Sequence, residues 1–280
     1  MNDRLSIALG AVREGAQAID NLSHLLRARR VGPRAIAVAL GEVREGCREL
    51  SAALSALETE LCAELSLSHP RAPDAEGIAR RLLSQGSACA AALASQLDMK
   101  GKADARTRLS LEDLARRSAA KFDAVIFLAE LLAAAASQKV VPLDIGDALL
   151  ELASVKGGAA RVKVSVGLSG PRIFAGDARV VSGLLWLSIG RVARAASSNP
   201  SIAVTGSSDG GVEVRVSAGD GIVAGPETEL LSLQIPLQEE MPMAGEVLKA
   251  ATELAGVGLS EAEEPLCIAL LFGKAGGAGP

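Results

Sequence analysis

The chain has 280 residues, 49% of them hydrophobic and 22% charged, with a formal net charge of -4. Those proportions suit a folded protein of one or two domains and lack the basic excess that nucleic-acid binding needs. Aromatics make up only 2%, with one Trp and no Tyr, which argues against a stacking platform for single-stranded nucleic acid and leaves the core to Ala, Leu, Val and Ile.

The first 138 residues read as helix. Over residues 4–29, Leu5, Ile7, Ala8, Val12, Ala16, Ile19, Leu22, Leu25 and Leu26 recur at helical spacing and predict one buried face. Arg30-Val31-Gly32-Pro33 breaks that helix, and a second follows from Pro33 to about Leu65, with Pro in its first turn. His69-Pro70-Arg71-Ala72-Pro73 is a linker, and a third helix covers about 74–98. Ser110-Leu111-Glu112-Asp113 has the form of an N-cap with an acidic first turn, so the fourth helix is predicted from there to about Ser137. A short repeat, Gly10-Ala11-Val12-Arg13-Glu14-Gly15 and Gly41-Glu42-Val43-Arg44-Glu45-Gly46, fits either an antiparallel hairpin of related helices or a chance match in an Ala/Gly/Arg/Glu-rich chain.

Beyond residue 138 the period changes. Val140-Val141-Pro142-Leu143 leads into a short helix at 145–155, which Gly157-Gly158 ends. Ala160 to Val166 alternates as a half-buried strand, and Arg172-Ile173-Phe174 is a second. Asp177 caps a helix to about Ala196, Ser201–Thr205 and Val212–Ser217 are strands joined by a polar turn, and a helix at 243–255 stops at Gly256. Val257–Ser260 and Leu266–Phe272 close the pattern before a loose tail at 274–280. Strands interleaved with helices and hairpins predict an α+β region with a sheet covered on one face by helices.

That order resembles the catalytic half of sensor histidine kinases. The stretch Leu114-Ala115-Arg116-Arg117-Ser118-Ala119 through Leu128-Ala129-Glu130-Leu131-Leu132 has the rhythm of the second helix of their dimerisation hairpin. Leu143-Asp144-Ile145-Gly146-Asp147-Ala148-Leu149 resembles the start of their ATP-binding domain, and Gly176-Asp177-Ala178-Arg179 the turn before the helix that carries their metal-binding Asn. The resemblance covers roughly residues 75–273 and implies four parts: a helical hairpin at 1–68, a dimerisation-type hairpin at 74–138 of four-helix-bundle type, a histidine-kinase-like α/β sandwich at 142–273, and the tail. The layout is most similar to histidine phosphotransferases that pair a helical hairpin with a degenerate ATPase-like domain.

The family's functional positions do not carry over. Its helix after the Asp bears two Asn residues that hold magnesium and phosphate; Leu187 and Arg191 stand at the equivalents, and leucine cannot ligate a hard cation. The adenine-binding Asp is matched by Ala218 or Ser217, with Asp220 as a displaced copy. Met241-Pro242-Met243-Ala244-Gly245-Glu246 replaces the glycine-rich lid, and Ser84 or Gln85 falls where the phospho-accepting His would be. No cofactor and no metal are expected. Cys47, Cys62, Cys89 and Cys267 form no CxxC pair, and with two histidines they leave too few ligands for zinc; they read as small buried hydrophobes of a reducing compartment.

His24, in Leu22-Ser23-His24-Leu25-Leu26-Arg27, is the one candidate phospho-acceptor, though Leu25 follows where the family has an acid. Arg27, Arg29, Arg30 and Arg34 cluster at the first helix turn, where they would either recognise phosphate or carboxylate or complement a helix C-terminus. Arg116, Arg117 and Lys121, with Arg106 and Arg108, form a second basic set that would face either solvent or an acidic partner such as a response-regulator receiver domain. Glu261, Glu263 and Glu264 read as a solvated turn between strands. No signal-like apolar core follows Met1, and no apolar run reaches the length of about 18 residues that spanning needs, so the expected location is the cytoplasm.

The resulting expectation is a non-enzymatic signalling or regulatory protein that homodimerises and docks a protein partner, a response regulator or a kinase. The alternatives are a histidine phosphotransferase using His24 and a helical scaffold that binds nucleic acid or an anionic surface through Arg27–Arg34.

Overall fold

Apolar residues three and four apart fold the N-terminal half into long helices. In the computed structural model these are α1 (Asp3–Arg27), α2 (Pro33–Ser68), α3 (Pro73–Met99) and α4 (Ala105–Ala136). The structure describes residues 3–28, 32–68, 73–99, 105–154, 160–168, 171–195, 200–206, 211–218, 228–235, 243–263 and 266–273. The chain divides into two compact units, Met1–Glu130 and Leu131–Pro280, with α4 running across the boundary.

In the first unit each helix buries one stripe. α1 buries Leu5, Leu9, Val12, Ala16, Ile19, Leu22 and Leu26, and α2 buries Val43, Cys47, Leu50, Leu54, Leu57, Leu61 and Leu65. α3 buries Ile78, Leu82 and Leu93 and packs on α2, and α4 buries Leu111, Ala115 and Phe122. Neighbouring helices run antiparallel, as the cross-helix pairs show. Ser51 meets Ser87 at 2.7 Å and Ser66 donates to Glu76 at 3.0 Å between α2 and α3. Gly86 of α3 packs against Leu54 of α2 and Val125 of α4. Arg13 pairs with Glu130, and Arg27 with Glu112 at 3.0 Å, between α1 and α4. The ring of contacts α1–α2–α3–α4 therefore closes within one chain.

The repeat has a packing meaning at one position. Val12 and Val43 are both buried in their helices. Its glycines are used unequally: a Cβ on Gly15 would lie 2.9 Å from Leu50 Cδ1, whereas Gly10, Gly41 and Gly46 face open space.

The second unit is a mixed sheet with helices on one face. β1 (Val141–Asp144) and β3 (Ile173–Gly176) form an antiparallel pair. The main sheet has the order β6-β2-β4-β5-β8-β7, from β2 (Ala160–Leu168), β4 (Pro200–Gly206), β5 (Val212–Ala218), β6 (Thr228–Ile235), β7 (Gly258–Glu263) and β8 (Leu266–Phe272). β2 and β4 are parallel, which requires a crossover, and the other pairs are antiparallel. Period-2 alternation turns Val164, Val166, Ile202, Val204, Val214, Val216, Ile268 and Leu270 inward, where α5 (Ile145–Ser154), α6 (Ala178–Ala195) and α7 (Ala244–Ala255) cover them. Lys163, Arg215 and Leu271 point out from the other face.

Several elements differ from the sequence expectation. α4 starts at Ala105, so Ser110 lies inside the helix, and Asp113 pairs with Arg116 and Arg117 on its own helix. β1 forms where only a lead-in to a helix was expected, and β6 was not expected at all. Leu231, Leu233 and Ile235 alternate with Ser232 and Gln234, with Ser232 exposed and Leu233 buried, but the alternation covers only five residues and Leu230 breaks it at the start. β7 extends to Glu263, so Glu261 and Glu263 belong to a strand and not to a turn. An edge position tolerates such charges, which a central strand would not. Gly256 ends α7 in the left-handed region at φ 64°, where its N–H reaches the Glu253 carbonyl. The tail at 274–280 lies outside the described residues.

Candidate functional site

The start of α6 is fixed first. Asp177 is its N-cap: Oδ1 accepts the Arg179 N–H at 3.0 Å and Oδ2 accepts the Lys139 N–H at 2.9 Å. The Arg179 guanidinium closes on the same carboxylate at 3.0 Å. Burial by itself would raise the Asp177 pKa, but these donors outweigh it and hold the carboxyl below its ordinary range. The residue thus ties the start of the helix to the segment entering β1.

About three and four turns further on, α6 carries the two positions that the family resemblance singled out. Leu187 is 1% exposed and packed in the core, so no oxygen ligand is offered there. Arg191 is engaged in a two-pronged ion pair with Glu261 on β7, Nη2 to Oε2 at 3.0 Å. Glu261 stands 70 residues along the chain from Arg191, and only the fold brings them together.

That pair borders a cleft of about 390 Å³ between α6, α7 and β7. Gly245, Lys249 and Glu253 supply successive turns of α7 to its wall, and Val257 and Leu259 add apolar surface. A Cβ on Gly245 would lie 3.6 Å from Arg191 Cζ, so the bare backbone lets the guanidinium lie close to the first turn of α7. Met243, the N-cap of α7, makes no side-chain cap bond. Lys249 and Glu253 are in no ion pair among the described residues. Arg194, one turn beyond Arg191, has its Nη1 buried without a hydrogen-bond partner. Burial, and then repulsion from Arg191, lower its pKa. Lys249 and Glu261, which line the cleft, were not singled out from sequence as site residues, because nothing in their local spacing marks them.

The other sequence candidates are dispersed. His24 is on α1, with its side chain 67% exposed, and its Nε2 lies 3.5 Å from Asp20 Oδ2 one turn earlier. Arg27 is spent on Glu112 of α4, while Arg34 is exposed on α2; Arg29 and Arg30 lie outside the described residues. Arg116 and Arg117 share Asp113 at 2.9 Å each, and Lys121 is exposed on the same helix. The side chains of Arg106 and Arg108 lie outside the described residues. Ala218 ends β5, half-buried, and Asp220 lies outside the described residues, as do His69, Met241 and Pro242.

The cysteines are poor nucleophiles. Burial pushes the Cys47 thiol up to about 11, and it also raises the thiols of Cys62, Cys89 and Cys267. Among the described residues no group of His, Cys, Asp or Glu is placed to hold a metal ion. None of the described helices is long and apolar enough to cross a membrane. No protein-family model matches the chain, and no curated protein matches it.

Proposed function

We propose that the chain is a non-catalytic signalling or regulatory interaction protein, a degenerate relative of histidine kinases whose α/β unit serves as a docking platform. The observation that carries the reading is the state of α6. The positions expected to hold magnesium and phosphate are a buried leucine, Leu187, and an arginine, Arg191, already committed to Glu261. A mixed sheet with helices on one face is compatible with the kinase-like sandwich, and fold likeness alone does not establish activity. The partner in this reading is a response regulator or a kinase with an acidic face. Arg116, Arg117 and Lys121, on α4 in the helical unit, add a second, positive surface for it beside that platform, and the exposure of all three supports that choice.

Homodimerisation through residues 74–138 belongs to the same reading. Light scattering of the full chain at tens of micromolar tests it, with a dimer expected and a monomer contradicting it. Recognition of nucleic acid through Arg27–Arg34 has little support, since Arg27 is held by Glu112.

One observation favours a second reading, phosphotransfer through His24. Asp20 stands beside its imidazole, where a carboxylate could orient the ring. A single experiment separates the two. The full chain is incubated with magnesium and labelled ATP, and separately with a phosphorylated receiver domain. The non-catalytic reading predicts no label on the protein. Acid-labile label that disappears in His24→Ala would replace it with the phosphotransfer reading.

A further inference from the structure

We infer that the homodimer is built by exchange of the α1–α2 hairpin, so that α1 and α2 of one copy cover α3 and α4 of the other. The inference rests on the homodimerisation proposed above for residues 74–138 and adds the face through which it occurs. A stable interface needs a packed apolar centre. The outside of the helical unit lacks one among the described residues. Its exposed large apolar side chains are single: Ile7 on α1, Val38 and Leu67 at opposite ends of α2, and Leu109 near the start of α4. The apolar area lies inside, on the buried stripes. At their junction a Cβ on Gly86 of α3 would lie 3.4 Å from both Leu54 of α2 and Val125 of α4. A second copy reaches that area only by taking the place of helices from its own unit.

Exchange costs no contact, because each one made within the closed chain is remade between copies. Between α2 and α3 these are Ser51 with Ser87 at 2.7 Å and Ser66 with Glu76 at 3.0 Å. Between α1 and α4 they are the ion pairs Arg13–Glu130 and Arg27–Glu112, one near each end of the seam. Both arginines stand on α1 and both carboxylates on α4, so α1 of a second copy meets α4 with the same match of charge. The two exchanged halves are joined by the short stretch His69 to Ala72, with Pro70 inside it and Pro73 directly after. A short connection favours exchange, since a chain with few residues in which to turn back can run on to a second copy instead.

The test mixes two full-length variants. One carries Arg13→Glu with Arg27→Glu, and the other Glu112→Arg with Glu130→Arg. Within either variant alone both pairs become like-charged, whereas exchange between unlike copies makes every pair opposite in charge again. The two are unfolded together in urea, refolded, and weighed by native mass spectrometry. Exchange predicts a heterodimer enriched about tenfold over its random share. A second mixture leaves the charges untouched, in case their reversal prevents folding. One copy with Ser51→Cys and one with Ser87→Cys are refolded together and oxidised in air. Exchange brings the two new thiols together across copies and predicts a covalent dimer that the parent, treated alike, does not form. If the parent is dimeric by light scattering, but the heterodimer stays at its random share and no covalent dimer forms, exchange is overturned and dimerisation stands. A monomeric parent overturns both.

Discussion

Asp177 shows how a single side chain sets the frame for everything downstream. Its carboxylate joins the α6 N-terminus, the Arg179 guanidinium and the Lys139 backbone. The cap was legible in the sequence, because an Asp before a helical run is an N-cap signal. The bonds to Lys139 and to the Arg179 side chain were not, since they depend on how the chain returns. Because the folded pKa is depressed, the carboxylate stabilises the fold above its ordinary range, and that contribution is lost as pH falls through the folded value. Asp177→Asn should cost about 1–3 kcal/mol at neutral pH, where it leaves buried donors poorly matched. The gap between variant and parent should narrow as pH drops below about 4, the ordinary range for an aspartate. Urea denaturation at a series of pH values measures it, and a gap that stays constant would contradict the assignment. Arg191 was legible only in part. Its identity at a position where an Asn was sought was visible, but its partner Glu261, on a strand read as a turn, was not.

Among the elements, legibility followed periodicity. The four long helices carry apolar stripes at a period the chain repeats many times, so their existence was readable and only their ends moved. α4 began earlier than Ser110 suggested, because a serine followed by acids is also a tolerable helix interior when Asp113 has arginines three and four residues on. The strands were harder. β6 alternates only over the short stretch Leu231 to Ile235, and β7 carries glutamates that strands usually avoid. The packing of α1 and α2 against α3 and α4 was beyond the sequence, because each stripe would serve equally well against another copy. Leu54 tests that packing. It is fully buried on α2 and touches Gly86 of α3. Leu54→Ala should lower stability by about 2–5 kcal/mol through lost burial and an unfilled cavity. Circular dichroism during urea unfolding is the readout, and a cost below about 0.5 kcal/mol, ordinary for a surface position, would remove α2 from the core.

At the scale of the whole molecule, a helical unit and an α/β unit are joined through one continuous helix, α4. Among the described residues the α/β unit has no metal-holding cluster, and at the positions where the family resemblance sought magnesium ligands it has Leu187 and the ion-paired Arg191. The most direct test of the non-catalytic reading is a calorimetric titration of the full chain with ATP, with and without magnesium. Fluorescence is followed in parallel from Trp186, the one tryptophan in the sequence, next to Leu187 on α6. The account predicts no magnesium-dependent heat and no magnesium-dependent change in Trp186 emission. A micromolar dissociation constant that requires magnesium would contradict it.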